Sequence, residues 1–372
     1  MSVAPLRILH TEWSDGWGGQ ERRIVSEIEG MMRRGHHVVL ATRPSCRILQ
    51  EAQRRHIPVL PLEMKGKFDL GAIRKLARFL KAERIQVVDT HSGIDSWIGA
   101  LAAKLAGTPV LVRTRHLNIP LKRAWHNFVH FLPDSLVACG ETMRRQLVEG
   151  CGFPADQVTS IPTGIDFGRF APAHTRRETR QALGIPEGDF LVLMVGVIRS
   201  VKRHEIALRA FRLLLDRHPA ARLVLAGEGP MQEGMEKLAA ELGIADRVLF
   251  LGHREDVPDL LAAANLLLLT SRSEGVPQAV TQALGLGVPA VATAVGGVPE
   301  LVIHERTGLL VPPEDPRAAA DAMARLANDP ALAARLGEEG RRHVLAEFSL
   351  EAMLDKTEAL FHTLLTKKGA AR

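Results

Sequence analysis

The chain has 372 residues, 46% hydrophobic and 24% charged, which excludes a disordered, collagen-like or disulfide-scaffold protein and leaves room for about two domains. Tyrosine is absent and aromatics make up 4%, so stacking on nucleic-acid bases is not a theme. The formal charge of +6 sits in one half: residues 1–167 hold 23 Lys+Arg against 16 Asp+Glu, so that half faces an anionic partner or carries solvated helix ends.

Short β-branched or apolar runs predict strands at 7–10, 38–42, 57–62, 87–90, 109–113, 135–139 and 158–162. Amphipathic segments between them predict helices over 20–34, 70–81 and 96–106. A polar bridge with Gly and Pro, 163–180, interrupts the pattern, with a boundary near Asp166–Phe167. The pattern then restarts. Strands are expected at 190–196, 221–227, 247–252, 265–270 and 289–293, with helices near 203–217, 231–242, 256–264 and 277–286. The tail 330–366 reads as two helices broken at Phe348-Ser349. Strands alternating with helices imply two doubly wound α/β domains with a cleft between them and ligands beyond the carboxyl ends of the strands.

The cysteines, Cys46, Cys139 and Cys151, are odd in number and form no CxxC, which suits a reducing cytoplasm. The N-terminus lacks the apolar stretch of a signal peptide. The charge-free run Gly275–Pro299 is broken by glycines and prolines, against a membrane helix.

Four constellations carry chemistry. In the loop Ser14–Glu21, Gly16, Gly18 and Gly19 let a ligand approach the backbone, and the following helix start can hold an anion; an ordinary tight turn is the alternative. Arg199, Lys202 and Arg203 follow a strand at a helix start, where cations cost ~0.3–1 kcal/mol each unless an anion such as a diphosphate is bound. Solvated cations are the alternative there. Glu274 and Gly275 lie beyond the strand at 265–270, and Pro277 suits the first helical position. Backbone N–H groups of Gly275, Val276 and Gln278 would then face a phosphate, while Glu274 would accept from sugar hydroxyls; a partner of the helix dipole is the alternative for Glu274. Gln278 and Gln282 share one helix face. Finally, His91 and His116 end predicted strands, each open to a structural or a functional reading. With no H-E-x-x-H and no Asp-x-Asp, no metal handle is evident.

Taken together, these motifs resemble glycosyltransferase family 4, retaining enzymes of the GT-B fold, along essentially the whole chain. The resemblance is carried by Gly18-Gly19, by Arg199 and Lys202, by Ala226–Pro230, by Leu251–Asp256, by the signature starting at Glu274, by Gly296–Pro313 and by the hinge Ile161–Asp166. The second glutamate of the signature is Gln282 here, which offers one acceptor and an NH₂ donor to the ribose. The hinge asparagine is Thr163. Val197 stands where the family often has arginine, and Arg199 takes its place.

The resemblance implies an α/β GT-B chain of two doubly wound Rossmann-like domains facing across a cleft. Residues 1–167 would bind the acceptor and 168–348 the nucleotide sugar, with a helix in 349–372 crossing back. The implied activity is metal-independent transfer of a hexosyl or related group, with retained configuration. Arg199, Lys202, the Gly19 backbone and the helix start at Gly275 would stabilise the leaving diphosphate. Donor contacts would come from Gly18, Gly19, Gly252, His253, Arg254, Glu274, Gly275, Val276, Pro277, Gln278 and Gln282. Glu274 would hold the sugar and His116 bind or orient it, with His91 and Arg115 on the acceptor side. No cofactor is implied. A UDP-sugar is the favoured donor, with GDP- and ADP-sugars as alternatives. The acceptor is expected to be a cell-surface glycan or lipid-linked glycan, with the lipopolysaccharide core favoured. Peripheral contact with an anionic membrane at the inner face of the cytoplasmic membrane is expected, and no nucleic acid. The alternative is a nucleotide-sugar epimerase of the same fold.

Overall fold

The computed structural model describes residues 4–117, 119, 121 and 124–370. The alternating runs form two parallel sheets. The first contains β1 (Arg7–Glu12), β2 (His37–Thr42), β3 (Val59–Pro61), β4 (Val87–Thr90), β5 (Val110–Arg115), β6 (Ser135–Ala138) and β7 (Val158–Ser160). Its spatial order is β3-β2-β1-β4-β5-β6-β7. The second contains β8 (Leu191–Val195), β9 (Arg222–Ala226), β10 (Val248–Phe250), β11 (Leu266–Leu269), β12 (Ala290–Thr293) and β13 (Gly308–Val311), in the order β10-β9-β8-β11-β12-β13. Both are doubly wound, with order reversing between β1 and β4 and between β8 and β11, where such sheets open their ligand crevice. Strand β13 goes beyond the sequence reading, since four residues starting on a glycine give little periodicity.

The chain divides into two units, residues 1–164 with 350–372, and residues 165–349. In the first, alternate strand residues Ile8, Val38, Leu40, Val87 and Val112 pack under the helix Gly19–Arg33 through Ile24, Ile28 and Met31. Residues of opposite parity, Leu9, Val39, Val88 and Leu111, meet Leu76, Leu80, Trp97 and Ile98 of the helices Leu70–Ala82 and Ile94–Ala106. Both faces are therefore covered, which is why these strands read as nearly continuous apolar runs. In the second unit, Val192, Met194, Leu223, Leu266 and Leu268 cover one face and Leu193, Val224, Leu267, Leu269 and Ala292 the other.

The terminal helix, Leu350–Ala370, follows the second unit in sequence but packs in the first. Met353, Leu354 and Phe361 join the core beside Ile24 and Ile28. A Cβ on Gly30 would overlap the Leu354 side chain, so the small residue sets the helix approach. Arg34 fans out to Glu351, Asp355 and Glu358 at 2.6, 2.7 and 2.9 Å. At the other side of the join, Ile165 N–H donates to Phe348 O at 3.0 Å, which ties the start of the second unit to its last helix, Pro330–Glu347. Among the described residues no helix is long and apolar enough to cross a membrane.

Candidate functional site

In the second unit, the loops after β8 and β11 are laced together. Thr270 Oγ1 donates to Arg203 O at 2.9 Å, and Arg272 N–H donates to Val201 O at 2.8 Å. This brings Lys202 Nζ to 2.6 Å from Glu274 Oε1, which also accepts from Ser271 Oγ at 2.5 Å. Thr293 Oγ1 anchors Ser271 through its carbonyl at 2.6 Å. Two adjacent glycines complete the cradle. Gly297 N–H donates to Gly275 O at 2.9 Å, and Gly296 has φ 53°. A Cβ on Gly296 would overlap the Glu274 carbonyl, so only glycine lets this backbone approach.

Of the three cations expected to gather on one anion, Lys202 and Arg203 hold carboxylates of this chain. Arg203 lies in the left-handed region at φ 55° and pairs with Glu205 at 2.5 Å and with Glu314 through Nε at 2.6 Å. Lys202 is committed to Glu274. Arg199 stands exposed before the short turn Ser200–Lys202, with its guanidinium available to a ligand. The helix after Glu274 spans Gln278–Gly285, and Pro277 caps it rather than occupying its first turn. Val276 and Gln278 are half-buried, Gly275 is exposed, and Gln282 is half-buried on the same helix. After β10, Gly252 has φ 65° and its carbonyl accepts from Gly227 N–H at 2.8 Å. His253 is exposed beside it, while Arg254 holds Asp256 through Nε at 2.7 Å.

In the first unit, the glycine loop after β1 folds around a carboxylate absent from the sequence reading. Glu12 accepts from Trp13 N–H at 2.8 Å, Ser14 N–H at 2.6 Å and Gln20 Nε2 at 2.5 Å. Burial, followed by the nearby Asp95 charge, pushes its carboxyl up to about 7. Gly18 N–H is taken by Glu21 at 2.7 Å, so a side chain of this protein already sits at the helix start expected to hold an anion. Gly18 and Gly19 are otherwise exposed.

The histidines form a chain. His10, on β1, lies in register with Asp89 on β4, and His91 follows two residues later on the same face. His10 Nδ1 is 2.9 Å from His91 Nε2, His91 Nδ1 is 3.1 Å from His116 Nε2, and His116 Nδ1 is 3.6 Å from Cys139 Sγ. Burial lowers His10 to about 3, with the Arg23 charge adding to it, and drives His91 and His116 well below the usual histidine range. All three rings are neutral at pH 7. Asp89 accepts from Thr114 N–H at 3.0 Å and Thr114 Oγ1 at 2.7 Å, and burial, with Glu27 close by, lifts it to about 8. Among the described residues, His10, Asp89 and His91 have donor atoms within 4.8 Å of one another, close enough to hold a metal ion. Arg115 is buried and donates to the carbonyls of Leu117, at 3.3 Å, and Ile119, at 2.5 Å.

Family models match both units: Glycosyltransferase Family 4 over residues 17–169, and Glycosyl transferases group 1 over 175–343. A D-inositol 3-phosphate glycosyltransferase from Streptomyces avermitilis is 32% identical over 340 residues, covering 82% of this chain and 72% of its own. The chain belongs to glycosyltransferase family 4. Within this family it is 24% identical to an Escherichia coli UDP-Gal:alpha-D-GlcNAc-diphosphoundecaprenol alpha-1,3-galactosyltransferase, covering 84% of each chain. The crystal structure of Anabaena HepE in complex with UDP superposes with a TM-score of 0.85 at 20% identity, covering 96% of this chain and 100% of that one. The fold is accordingly GT-B, and the protein is a glycosyltransferase.

For this family 4 glycosyltransferase, the structure joins Lys202 to Glu274, which the sequence reading put in separate constellations, and His91 to His116, which it put in one. Glu12, Arg23, His10, Asp89, Cys139 and Ser271 were missed. Arg23 and Glu27 carried a signal, being four apart on an otherwise apolar helix face, where a buried pair needs a reason. Cys139 and Ser271 carried none, because only folding makes them neighbours of His116 and Glu274.

Proposed function

We propose that this protein is a retaining, metal-independent transferase moving a hexosyl or related group from a UDP-sugar to a glycan or lipid-linked acceptor of the cell envelope. The observation that carries this reading is the Lys202–Glu274–Ser271 cluster at strand ends of the second unit, with Arg199 exposed three residues before Lys202. The second unit would bind the donor. Arg199 and Lys202 take up charge on the leaving diphosphate, a field worth ~2.7–4 kcal/mol per donor group in a transition state. Glu274 accepts from sugar hydroxyls. Gly275, Val276, Pro277 and Gln278 line its phosphate side, Gln282 meets the ribose, and Gly252, His253 and Arg254 meet the base. The first unit would bind the acceptor, with Gly18 and Gly19 as open backbone for an anionic ligand, His116 at a reacting hydroxyl, and His91 and Arg115 holding its surroundings.

A lipid-linked acceptor draws support from the E. coli relative, whose name specifies a diphosphoundecaprenol acceptor and UDP-Gal. The first unit also exposes Phe68 and Leu70, which are 68% and 61% exposed, beside Lys65 and Lys67. Apolar knobs next to cations suit the surface of an anionic membrane. The lipopolysaccharide core is the second acceptor class, and the cytoplasmic face of the membrane the expected place. The deciding experiment incubates the protein and EDTA with UDP-, GDP- and ADP-sugars, with and without undecaprenyl-diphosphate-linked sugar or lipopolysaccharide core, and reads products by NMR. Acceptor-dependent transfer from a UDP-sugar with the anomeric configuration kept supports the reading. Loss of transfer in EDTA overturns metal independence, and acceptor-free conversion of the donor sugar indicates an epimerase.

A further inference from the structure

The buried chain behind His116 has a direction. Arg23 Nη1 donates to Cys139 Sγ at 3.2 Å. Arginine has no acceptor, so the sulfur accepts there; the Thr163 hydroxyl also bonds the sulfur, and the relay takes the thiol hydrogen as pointing to His116 Nδ1, 3.6 Å away. Burial raises the Cys139 thiol, which keeps that hydrogen at neutral pH. With Nδ1 accepting, neutral His116 carries its proton on Nε2 and donates it to His91 Nδ1 at 3.1 Å. His91 then carries its proton on Nε2 and donates to His10 Nδ1 at 2.9 Å. Asp89 Oδ2, 3.8 Å from His91 Nε2, lies beside the same N–H. Around this chain stand Arg23 and Glu27 from the helix Gly19–Arg33, Asp89 from β4, Thr114 and Arg115 from β5, and Cys139 after β6. His10 and His91 are 0% and 4% exposed, so water cannot compete for the bond between them.

We propose that His10 and His91 are positioning residues that hold His116 as its Nε2–H tautomer, so that Nδ1 offers a lone pair to a sugar hydroxyl once the weak thiol contact gives way. Which ring nitrogen carries the proton is set by the bond the other nitrogen makes, and here that rule acts through two rings in series. This inference rests on the reading of His116 as the residue at the reacting hydroxyl. The hydroxyl displaces only the thiol hydrogen, and no proton leaves the chain.

Side-chain ¹⁵N–¹H correlation spectra of the full-length protein test it, with His116 signals assigned by their loss in His116→Gln. The wild type should show His116 as the single Nε2–H form. His10→Leu removes the acceptor for His91, so His116 should become a mixture of neutral tautomers. Turnover should then fall about tenfold or more with KM for the donor kept, as when an orienting partner of a functional histidine is lost. His10→Asn, whose side-chain oxygen replaces Nδ1 as acceptor, should restore both readouts. Should His10→Leu not fold, Cys139→Val removes the donor that sets the direction and should give the same mixture. A wild-type Nδ1–H form, or His116 signals unmoved by these variants, overturns the proposal. So does a stoichiometric metal ion found by elemental analysis and lost in His10→Asn, because the lone pairs of His10 Nδ1 and His91 Nε2 would then belong to the metal. Normal turnover of His116→Gln would instead reject the role of His116 at the hydroxyl, while the tautomer readout still decides the relay.

Discussion

Lys202 Nζ lies 2.6 Å from Glu274 Oε1, although 72 positions separate the two residues. The side chains are 18% and 10% exposed, so the pair is partly shielded from water. Lys202 is thus held in place before any phosphate arrives, and Glu274 is oriented before any sugar does. Lys202→Ala should lower stability by about 2 kcal/mol, since a charged hydrogen bond is lost and Glu274 keeps only Ser271. Transfer should fall roughly 10²–10³-fold. Glu274→Gln should impair transfer while leaving the affinity for bare UDP nearly unchanged. Because the residues are in contact, the stability losses of the double variant should sum to less than those of the singles in urea titrations. Full additivity there would argue against the pairing.

Gly296→Ala should disturb the same site from the opposite wall. The residue has φ 53°, and a Cβ would overlap the Glu274 carbonyl. Strain of this kind costs ~1–3 kcal/mol. Calorimetry should record a lower melting temperature, and transfer should drop because the Glu274 loop moves. An active variant with unchanged melting would mean that the loop relaxes freely.

Gln282→Glu should tighten UDP binding. A carboxylate accepts from both ribose hydroxyls, whereas the amide offers one acceptor. Charge-assisted bonds exceed neutral ones by about 1 kcal/mol, roughly fivefold in Kd. Titration calorimetry reads the change directly, and single-turnover rates should stay near those of the wild type. Unaltered affinity would place Gln282 away from the ribose.

His204 should make the second unit sensitive to acid. It is buried, its Nδ1 has no partner among the described residues, and burial with the nearby Lys202 charge lowers it to about 4. The folded state therefore resists protonation while the unfolded chain takes up a proton near the usual pKa of about 6.5. Stability from this residue is complete above pH 6.5 and is lost as pH falls to about 4, on the order of 3 kcal/mol. His204→Leu should remove this contribution. In urea unfolding from pH 7 to pH 4, the variant should gain on the wild type as pH falls. A constant difference would show that His204 does not titrate in this window.

Much of the fold was legible because each sheet is covered on both faces. That burial demands apolar runs such as Val38–Leu40 and Leu266–Leu269, and it leaves turn residues between them. Strand β13 escaped because a four-residue strand that begins with Gly308 has no period to read. The candidate site was legible at Glu274, Lys202 and Arg199, where residue type, a preceding strand and family motifs coincide.

The sequence by itself determined two doubly wound sheets, the loops that follow their strands and the family to which the motifs point. These are local properties, written in hydrophobic alternation and in glycine placed where backbone must turn. Only tertiary structure decided that Arg203 serves Glu314 and that His10, His91, His116 and Cys139 form one chain. The physical reason is that a hydrogen bond or ion pair depends on distance in space. In a doubly wound sheet, neighbouring strands such as β1 and β4 are separated by some 80 residues, so sequence spacing carries no trace of their register.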